Sequence, residues 1–348
     1  MHHGIKTLSF FFTLILLGSC ARTPLSTQKG KLYTIAFYNT EKLFDTKNDP
    51  KTADDAYTPT GEREWTEERY NRKLKNIASV IAGIGGKGSP AVVGLGEVEN
   101  KQVVEELVNT SPLKKFDYNV IHYDMPDEQG LDVALIYQPK HFKPTATQAI
   151  PIKFSEGNYS SRDILQVKGE LRGEPVTIYV THWPPRNRTR SGRQDDTRLR
   201  NAARTLRQQI EQQQKVDPNT KIIVLGDFDA EPDAAVMKEV LNATGRPDPA
   251  YKEELFNTHY LSFVNRAGTY ANEGDFKVLD QILVSKSLLT NNTGLQYVRG
   301  SAGIHAPDFS KFLFGKYKDT PNRTYSGNLY IGGYSDHFPV YIQLQRKR

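Results

Sequence analysis

Acidic side chains stand where a short apolar strand ends. The β-branched run at residues 222–225 leads through Gly226 to Asp227, and Phe228 and Asp229 follow directly. A central strand holds the side chains at its end rigidly while leaving them open to solvent or to a metal ion. The segment therefore predicts two carboxylates that are fixed at the lip of a buried strand.

Four other strand-like segments carry polar groups at one end. These are Asn39 and Glu41 after residues 33–38, Glu97 after residues 91–96, His182 after residues 176–181, and Asp336 with His337 before residues 340–342. Strand ends from distant parts of a chain can meet at one edge of a fold, so these groups can form one cleft. Oxygen ligands without cysteine suit Mg²⁺, Mn²⁺ or Ca²⁺ better than Zn²⁺.

The five segments, in this order and spacing, resemble the endonuclease/exonuclease/phosphatase superfamily, which includes DNase I, abasic-site exonucleases, neutral sphingomyelinases and inositol polyphosphate 5-phosphatases. The resemblance runs from about Tyr33 to Gln345. It implies an α/β fold, the DNase I-like four-layer α/β sandwich, in which two packed β-sheets are flanked by helices. It also implies an enzyme that hydrolyses phosphoester bonds with the help of a divalent metal ion.

The resemblance implies four metal ligands. Asn39 and Glu41 resemble the first metal-side pair of the family, and Glu97 resembles its principal metal-binding glutamate. Asp336 resembles the aspartate that leans on the metal before the catalytic histidine. We expect these groups to bind Mg²⁺ or Mn²⁺, with Ca²⁺ as an alternative, while water molecules complete the coordination.

The resemblance also implies the groups that move protons. His337 is the expected general base because a neutral imidazole has a suitable proton affinity near pH 7, and Asp280 is the carboxylate that orients it. Asp227 resembles the aspartate that orients the nucleophile. His182 resembles the residue that contacts the scissile phosphate, and we expect Asp132 to hold His182 in its donor tautomer.

Three further residues are expected to meet the substrate. Arg162 resembles the family's phosphate-contacting arginine, since a guanidinium group suits bidentate binding of phosphate. Asp229 stands where the family usually has asparagine, and an ionised carboxylate only accepts hydrogen bonds. We therefore expect Asp229 to bind a second cation or to shift substrate preference.

Arg186 begins a segment that carries eight arginines and two aspartates up to Arg207 and indicates a polyanionic partner, DNA or RNA. The alternative is a solvated helix face.

The N-terminus has the pattern of a targeting segment. An apolar run after Lys6 is too short to span a bilayer and ends in Gly18, Ser19 and Cys20, which resembles a bacterial lipoprotein signal. We predict a signal peptide at 1–19, a lipidated cysteine and flexible tether at 20–31, and a catalytic domain at 32–348. The lipid on Cys20 predicts an extracytoplasmic protein anchored to a bacterial membrane. The uncharged Ala21 favours the outer membrane.

Composition is compatible with one large domain. Cys20 is the only cysteine, so no disulfide can form within the monomer. About 300 residues follow the tether, which is enough for one large α/β domain. We expect a single domain because the candidate site residues come from both halves of the chain. The sequence implies no protein partner, and we expect a monomer.

Apolar periodicity predicts the elements that must position the site. A helix is expected at 66–84, with Lys73 away from its apolar face, and another at 195–214. The helix faces are Tyr70, Leu74, Ile77, Val80 and Ile81 in the first, and Leu199, Ala202, Leu206 and Ile210 in the second. Strands are expected at 119–123, 132–137, 164–171 and 276–285.

These observations predict a secreted, lipid-anchored, metal-dependent phosphodiesterase, specifically an endonuclease that cuts DNA or RNA by attack of activated water on phosphorus. One alternative is an enzyme that acts on phospholipid headgroups or small phosphoesters. Another is a non-catalytic binding lipoprotein. The aromatic residues Phe309, Phe312, Phe314 and Tyr317 are the candidate for a lipid-facing loop, although we expect them to pack in the core.

Overall fold

The computed structural model describes Met1 and residues 31–86, 88–154, 159–188, 194–246, 254–290 and 293–347. The predicted signal peptide, Cys20 and the predicted tether lie outside the described residues, except for Met1 and Lys31. A compact unit begins at Lys31. Over the described ranges, no helix has the length and apolar character needed to cross a membrane.

Short strands make up most of the fold. In chain order they are β1 (Leu32–Leu43), β2 (Val92–Val98), β3 (Asn119–His122), β4 (Asp132–Tyr137), β5 (Phe142–Ile150), β6 (Ile164–Leu171), β7 (Glu174–His182), β8 (Asn187–Arg188), β9 (Gln194–Asp195), β10 (Ile222–Asp227), β11 (Ala243–Thr244), β12 (Leu255–Asn257), β13 (Tyr270–Asn272), β14 (Asp275–Lys277), β15 (Asp280–Ser285), β16 (Gly294–Tyr297), β17 (Gly303–Ile304), β18 (Tyr325–Ser326), β19 (Leu329–Tyr330) and β20 (Val340–Lys347).

Helices are fewer and stand between the strands. They are α1 (Glu67–Gly83), α2 (Lys101–Asn109), α3 (Thr197–Val216), α4 (Tyr260–Val264) and α5 (Ser287–Thr290). Short turns of 3₁₀ helix lie at Asp55–Tyr57, Leu113–Phe116 and Asp308–Ser310, and a π turn lies at Val236–Val240.

The longer strands form two seven-stranded sheets within the described ranges. The order in the first is β16-β20-β1-β2-β4-β3, with β17 also paired to β20, and the order in the second is β11-β12-β15-β10-β7-β6-β5. β1 and β2 are parallel, as are β7 and β10, whereas β20 and β15 run antiparallel to their neighbours β1 and β10. The beginnings of β20 and β15 therefore share an edge with the ends of the parallel strands.

The main core lies between the sheets. Ile35, Phe37 and Leu135 of the first sheet and Val180 and Leu225 of the second are all fully buried there. Burying an apolar side chain of this size contributes about 1.5–3 kcal/mol. The helices α1 and α2 cover the outer face of the first sheet, and α3 covers the outer face of the second. The expected four-layer α/β sandwich is confirmed.

Helix α1 matches the predicted helix to within one residue at each end. Thr66 caps it by accepting a hydrogen bond from the backbone N–H of Arg69, and Glu67 and Glu68 complement the helix dipole in its first turn. The predicted apolar face is buried. Lys73, expected away from the apolar face, is buried as well, because its side chain is 1% exposed and its ammonium group donates to Thr324 Oγ1 at 2.6 Å.

The other predicted elements have mixed outcomes. The strands predicted at 132–137 and 164–171 match β4 and β6, and α3 buries its predicted stripe. The strand predicted at 276–285 is wrong as a single element. Its first part is β14, which pairs with β13 in a hairpin, and its second part is β15 of the second sheet. Helix α2 and strand β5 were not predicted from the sequence.

The aromatic segment at 309–317 does not pack in the core as expected. Phe314 is 85% exposed, and Phe309 and Tyr317 are each nearly half exposed. Phe309 packs on Tyr334 with ring centroids 5.4 Å apart, which secures one end of the loop. The loop therefore presents apolar groups to solvent.

Candidate active site

Strand pairing brings the predicted residues of the second sheet together. Asp227 at the end of β10 is paired with His182 at the end of parallel β7. It is also paired with Asp280 at the start of antiparallel β15. Paired residues on neighbouring strands lie about 5 Å apart, so three polar groups share one edge because of backbone register alone.

Backbone irregularities expose the carboxylates of the first sheet. Glu41 and Lys42 have positive φ angles of 52° and 54°, where the register between β1 and β2 shifts. Glu97 has a φ of 58° at a register shift between β2 and β4. Left-handed backbone is uncommon for residues with side chains, and such bulges redirect side chains beside functional sites. Both bulges lie at the edge of the sheet that holds the candidate site.

His337 is held between two carboxylates. Its Nδ1 donates to Asp280 Oδ2 at 2.7 Å, and its Nε2 lies 3.8 Å from Asp227 Oδ2. Asp280 is fully buried, and its backbone N–H donates to Thr269 Oγ1. Ser335 fixes the turn, since its hydroxyl donates to the backbone oxygen of Asn39 and accepts from the N–H of His337. The predicted histidine–aspartate pair is therefore formed in the structure.

The two histidines of the cleft have opposite proton affinities. Burial alone would lower the pKa of His337, but the charges of Asp280 and Asp227 outweigh it and hold that pKa well above its ordinary value. The pKa of His182 lies well below its ordinary value because of burial and of the positive charges of Arg162 and His337. The lowered pKa favours a neutral His182, whose imidazole has one donor and one acceptor nitrogen.

Asn39 joins the carboxylates of the two sheets. Its amide nitrogen donates to Asp227 Oδ2 at 3.0 Å and to Glu97 Oε1 at 3.2 Å. Its amide oxygen accepts from the backbone N–H of Glu41. The structure thus gives Asn39 the geometry of a clamp between acids. The pKa of Asp227 is raised, first by burial and then by Asp280.

The donor set fits a divalent cation. Burial raises the pKa of Asp336 to about 7, and the charges of Glu41 and Glu97 add to the effect. Buried carboxylates that repel one another are stabilised by a hard cation with oxygen ligands. The group formed by Asp227, Asp280 and His337, whose ligand atoms lie within 4.8 Å of one another, can also hold a metal ion.

The four predicted metal ligands differ in their other partners. Glu97 accepts from the backbone N–H of Lys42 at 2.9 Å. Glu41 Oε2 accepts from both the backbone N–H and the hydroxyl of Thr324, at 2.7 and 2.8 Å, and lies 3.4 Å from the Lys73 ammonium. Glu41 therefore anchors the loop that contains Thr324. Glu97 and Asp336 are the better placed pair for a cation.

Arg162 has buried donors available for an anion. Its side chain is 4% exposed, and Nη2 lies 3.2 Å from Asp127 Oδ2. Its Nε and Nη1 have no hydrogen-bond partner among the described residues. A buried donor without a partner costs about 1–3 kcal/mol, so this arrangement fits a site that is completed by a bound anion. Arg162 lowers the pKa of His182, which places its charge beside the cleft.

The expected pair of Asp132 and His182 does not form. Asp132 Oδ2 lies 2.9 Å from Nε2 of His122, and its Oδ1 accepts from the backbone N–H of Met125. The reason is topological, because Asp132 begins β4 in the first sheet and His182 ends β7 in the second. His182 Nδ1 is buried and has no hydrogen-bond partner among the described residues. Burial raises the pKa of Asp132 to about 6.

Asp229 and Arg186 are joined to each other. Asp229 Oδ2 accepts from the backbone N–H of Arg186 at 3.1 Å, which fixes the loop after His182. Burial and the charge of Asp227 raise the pKa of Asp229 to about 6. The Arg186 guanidinium lies 3.4 Å from Asp196 and donates to Gln194, so the expected contact with phosphate is not preformed. Arg190 and Arg193 lie outside the described residues.

Tyr270, Ser335 and Lys73 contribute to the site but were missed as site residues. The Tyr270 ring lies against the His337 imidazole, with centroids 4.9 Å apart. The segment around Tyr270 has no strong alternation of apolar and polar residues that would predict a strand. For Ser335, the only indication in the sequence was its position next to Asp336. Lys73 contacts the site through residues more than 250 positions away, which local sequence does not reveal.

The model of the Endonuclease/Exonuclease/phosphatase family matches residues 34–346. The chain belongs to this family. The family acts on phosphoester bonds and depends on divalent metal ions, and the cleft described above carries the acids, histidines and arginine for such an enzyme. No curated protein matches the chain.

Several solved structures have the same fold as this chain, and they differ from one another in the ligand or the activity that they are named for. The TDP2 of D. rerio complexed with single strand DNA product has 13% identity and a TM-score of 0.54, over 90% of this chain and 98% of that one. The human Nocturnin catalytic domain with bound sulfate anion has 15% identity and a TM-score of 0.52, over 91% and 95%. The mannosyl-6-phosphatase Bt3783 of Bacteroides thetaiotaomicron VPI-5482 has 15% identity and a TM-score of 0.54, over 90% and 99%. At these identities the likeness establishes the fold alone.

Proposed function

We propose that this protein is a metal-dependent endonuclease that hydrolyses phosphodiester bonds of DNA or RNA by attack of water on phosphorus. The observation that carries the proposal is the pair of buried donors on Arg162 that have no partner among the described residues, since the charge of this arginine acts on His182, in the cleft that also holds the pair of His337 and Asp280. Free donors for phosphoryl oxygens and a base in one cleft are the parts that phosphoryl transfer needs.

Each side chain has a defined task in the proposed reaction. His337 accepts the proton of the attacking water at Nε2, while Asp280 holds Nδ1 and stabilises the charged imidazole. Asp227 Oδ2 lies 3.6 Å from His182 Nε2 and 3.8 Å from His337 Nε2, so it can orient the water between them. Arg162 and His182 bind the non-bridging oxygens.

Glu97 and Asp336 are the residues that hold the cation, with Glu41 and Asn39 behind them. When bound, the cation supplies positive charge against the phosphoryl oxygens. A cation held there would offset the charges of Asp280 and Asp227, which raise the pKa of His337, and would so favour the neutral imidazole that a base requires.

Basic residues beyond the cleft support a polyanionic substrate. The formal net charge is +6, and α3 carries Arg200 and Arg204 at its surface. The segment is less available than its sequence indicates, because Arg207 is buried against Glu211 and Arg198 lies over the Tyr159 ring at 3.5 Å. The structure of D. rerio TDP2 with single strand DNA product supports nucleic acid as the substrate class.

A second candidate function is hydrolysis of phospholipid headgroups. The exposed Leu313 and Phe314, next to Lys316 and Lys318, favour it because such a loop can contact an anionic membrane surface. Release of headgroups from liposomes, with no cleavage of nucleic acid, would replace the first candidate by this one.

We propose that the protein is anchored outside the cytoplasm through lipid on Cys20, as the sequence pattern predicts. Metabolic labelling with a fatty acid, followed by fractionation of the membranes, tests this. Label that persists in a Cys20→Ser variant would contradict it.

The chain from Lys31 onward should nick plasmid DNA or cut RNA with Mg²⁺ and lose this activity in EDTA. The matched control is His337→Ala at the same protein concentration. Equal cleavage in EDTA, or equal cleavage by the variant, would contradict the proposed function.

A further inference from the structure

A pocket of about 140 Å³ lies next to the segment that contacts His337. The β13–β14 hairpin forms one wall, and the loop from Phe312 to Ser326 forms the other. Six of the residues that line the pocket could contact a ligand through charge, hydrogen bonds or apolar surface. They are Ala271, Asn272, Glu273, Phe312, Tyr317 and Arg323.

The pocket lies close to the cleft. Tyr270 stacks on His337 and also forms a backbone bridge with it, and the next residue, Ala271, lines the pocket. Arg323 Nη2 donates to the backbone oxygen of Ala271 at 3.3 Å, which ties the two walls together. The charge of Arg323 also acts on Asp336, so the pocket lies close enough to the cleft for the nucleotide next to a bound phosphate.

Charge argues against a second phosphate as the occupant. Arg323 would attract an anion, but Glu273 lies in the opposite wall and would repel it. Asn272 adds an amide with both a donor and an acceptor. Together, Arg323, Glu273 and Asn272 suit a neutral partner whose edge carries both donors and acceptors. A nucleobase has this character.

Shape and surface support a single flat ring. Phe312 and Tyr317 are aromatic neighbours with centroids 6.3 Å apart at an interplanar angle of 47°, so they offer ring faces for stacking. The volume lies below the range of about 300–1,000 Å³ for drug-sized ligands, so there is room for one ring system. A base in a duplex is stacked and paired, and it can enter such a pocket only after unpairing.

We propose that this pocket binds one unpaired nucleobase of the nucleotide next to the scissile phosphate, so that the preferred substrate is single-stranded nucleic acid. This inference rests on the proposed function. Alanine replacement of a base-stacking aromatic residue weakens binding about 5- to 150-fold.

The first experiment uses oligonucleotides with one cleavable phosphodiester that is flanked either by a base or by an abasic residue. The wild type should cut the base-containing strand at least about fivefold more efficiently, mainly through a lower KM. Phe312→Ala and the more conservative Phe312→Leu should remove this ratio. Phe314→Ala is the matched control, because Phe314 is on the same loop, is 85% exposed and does not line the pocket. The ratio is internal to each variant, so a general loss of folding does not change it.

The second experiment detects stacking without cleavage. In a His337→Ala background, 2-aminopurine placed next to the scissile position should change fluorescence on binding. The change should be lost in His337→Ala/Phe312→Leu and kept in His337→Ala/Phe314→Ala. A signal that is unchanged by Phe312→Leu would overturn the proposal.

The outcomes separate the pocket from the proposed function. Cleavage of single strands with equal efficiency for base and abasic strands, or of duplex as efficiently as single strands, overturns the pocket assignment alone. Metal-dependent hydrolysis of bis(p-nitrophenyl) phosphate or a sugar phosphate, with no cleavage of any nucleic acid, overturns both.

Discussion

His337 and His259 are both buried, but their surroundings give their imidazoles opposite proton affinities. His337 lies against the carboxylates of Asp280 and Asp227, and its pKa is held well above the ordinary value although burial opposes this. His259 contacts neutral groups: the hydroxyl of Thr258, the backbone N–H of Ile282 and the backbone oxygen of Gly303. Burial lowers the pKa of His259 to about 4.

The difference shows that neighbouring charge, and not burial, decides which histidine can handle protons. His259 is fully satisfied as a neutral ring and joins β15 to its surroundings. His337 has one nitrogen fixed by Asp280 and the other directed toward Asp227 and the cleft. The buried histidine proposed for catalysis is thus the one with carboxylate neighbours, whereas the buried histidine that serves stability contacts neutral groups.

The largest expected effect separates the two histidines by activity. His337→Ala should lower kcat about 10²- to 10⁴-fold, because the proposed general base is lost. Steady-state cleavage of an oligonucleotide at saturating Mg²⁺ measures it. His259→Asn is the matched control, and its folded fraction should keep the wild-type kcat. Equal losses in both variants would remove the distinction between them.

The second prediction concerns the positive charge of Arg162, which acts on His182. Arg162→Ala should lower kcat/KM about 10²- to 10³-fold, since a buried donor to the phosphoryl oxygens is removed. Arg172→Ala is the control, because Arg172 is a surface arginine that donates to the backbone oxygen of Lys140. Activity of Arg162→Ala within the range of the control would exclude a phosphate contact.

The third prediction tests the neutral histidine by acid. The folded-state pKa of His259 lies near 4, below its unfolded value of 6.5, so its stabilising contribution is complete above pH 6.5 and is lost as pH falls toward 4. The loss over this window is about 3 kcal/mol. Urea unfolding of wild type and His259→Asn at pH 7, 6 and 5 measures the part of this loss that falls above pH 5, which is about 2 kcal/mol. Parallel pH dependence in both proteins would contradict a neutral buried His259.

The site residues at strand ends could be predicted because their evidence is local. Asp227 and Glu97 each follow an apolar strand, and the sequence around them shows where the strand ends. Asp280 was predictable only by resemblance, since its strand was expected to begin at 276. Its place opposite Asp227 depends on the antiparallel register of β15 and β10.

Contacts between distant segments could not be predicted in this way. Periodicity placed Lys73 only away from the apolar face of its helix, but Glu41, Thr324 and the backbone oxygen of Tyr334 surround its ammonium group. The pocket wall at Phe312 and Tyr317 read as core because apolar residues in a loop have no period to orient them. Periodicity reports which face of an element is buried, but not which loop covers the face that remains.

The smallest expected effect concerns the aspartate whose partner differs from the prediction. Asp132→Asn should leave kcat/KM within about twofold of the wild type, because Asp132 pairs with His122 and not with His182. The corresponding substitution Asp280→Asn should lower kcat at least about 100-fold, because this carboxylate does hold the proposed catalytic His337. Parallel kinetics of the two variants measure the contrast. A large loss in Asp132→Asn, with unchanged thermal stability, would mean that the pair of Asp132 and His122 acts on the cleft.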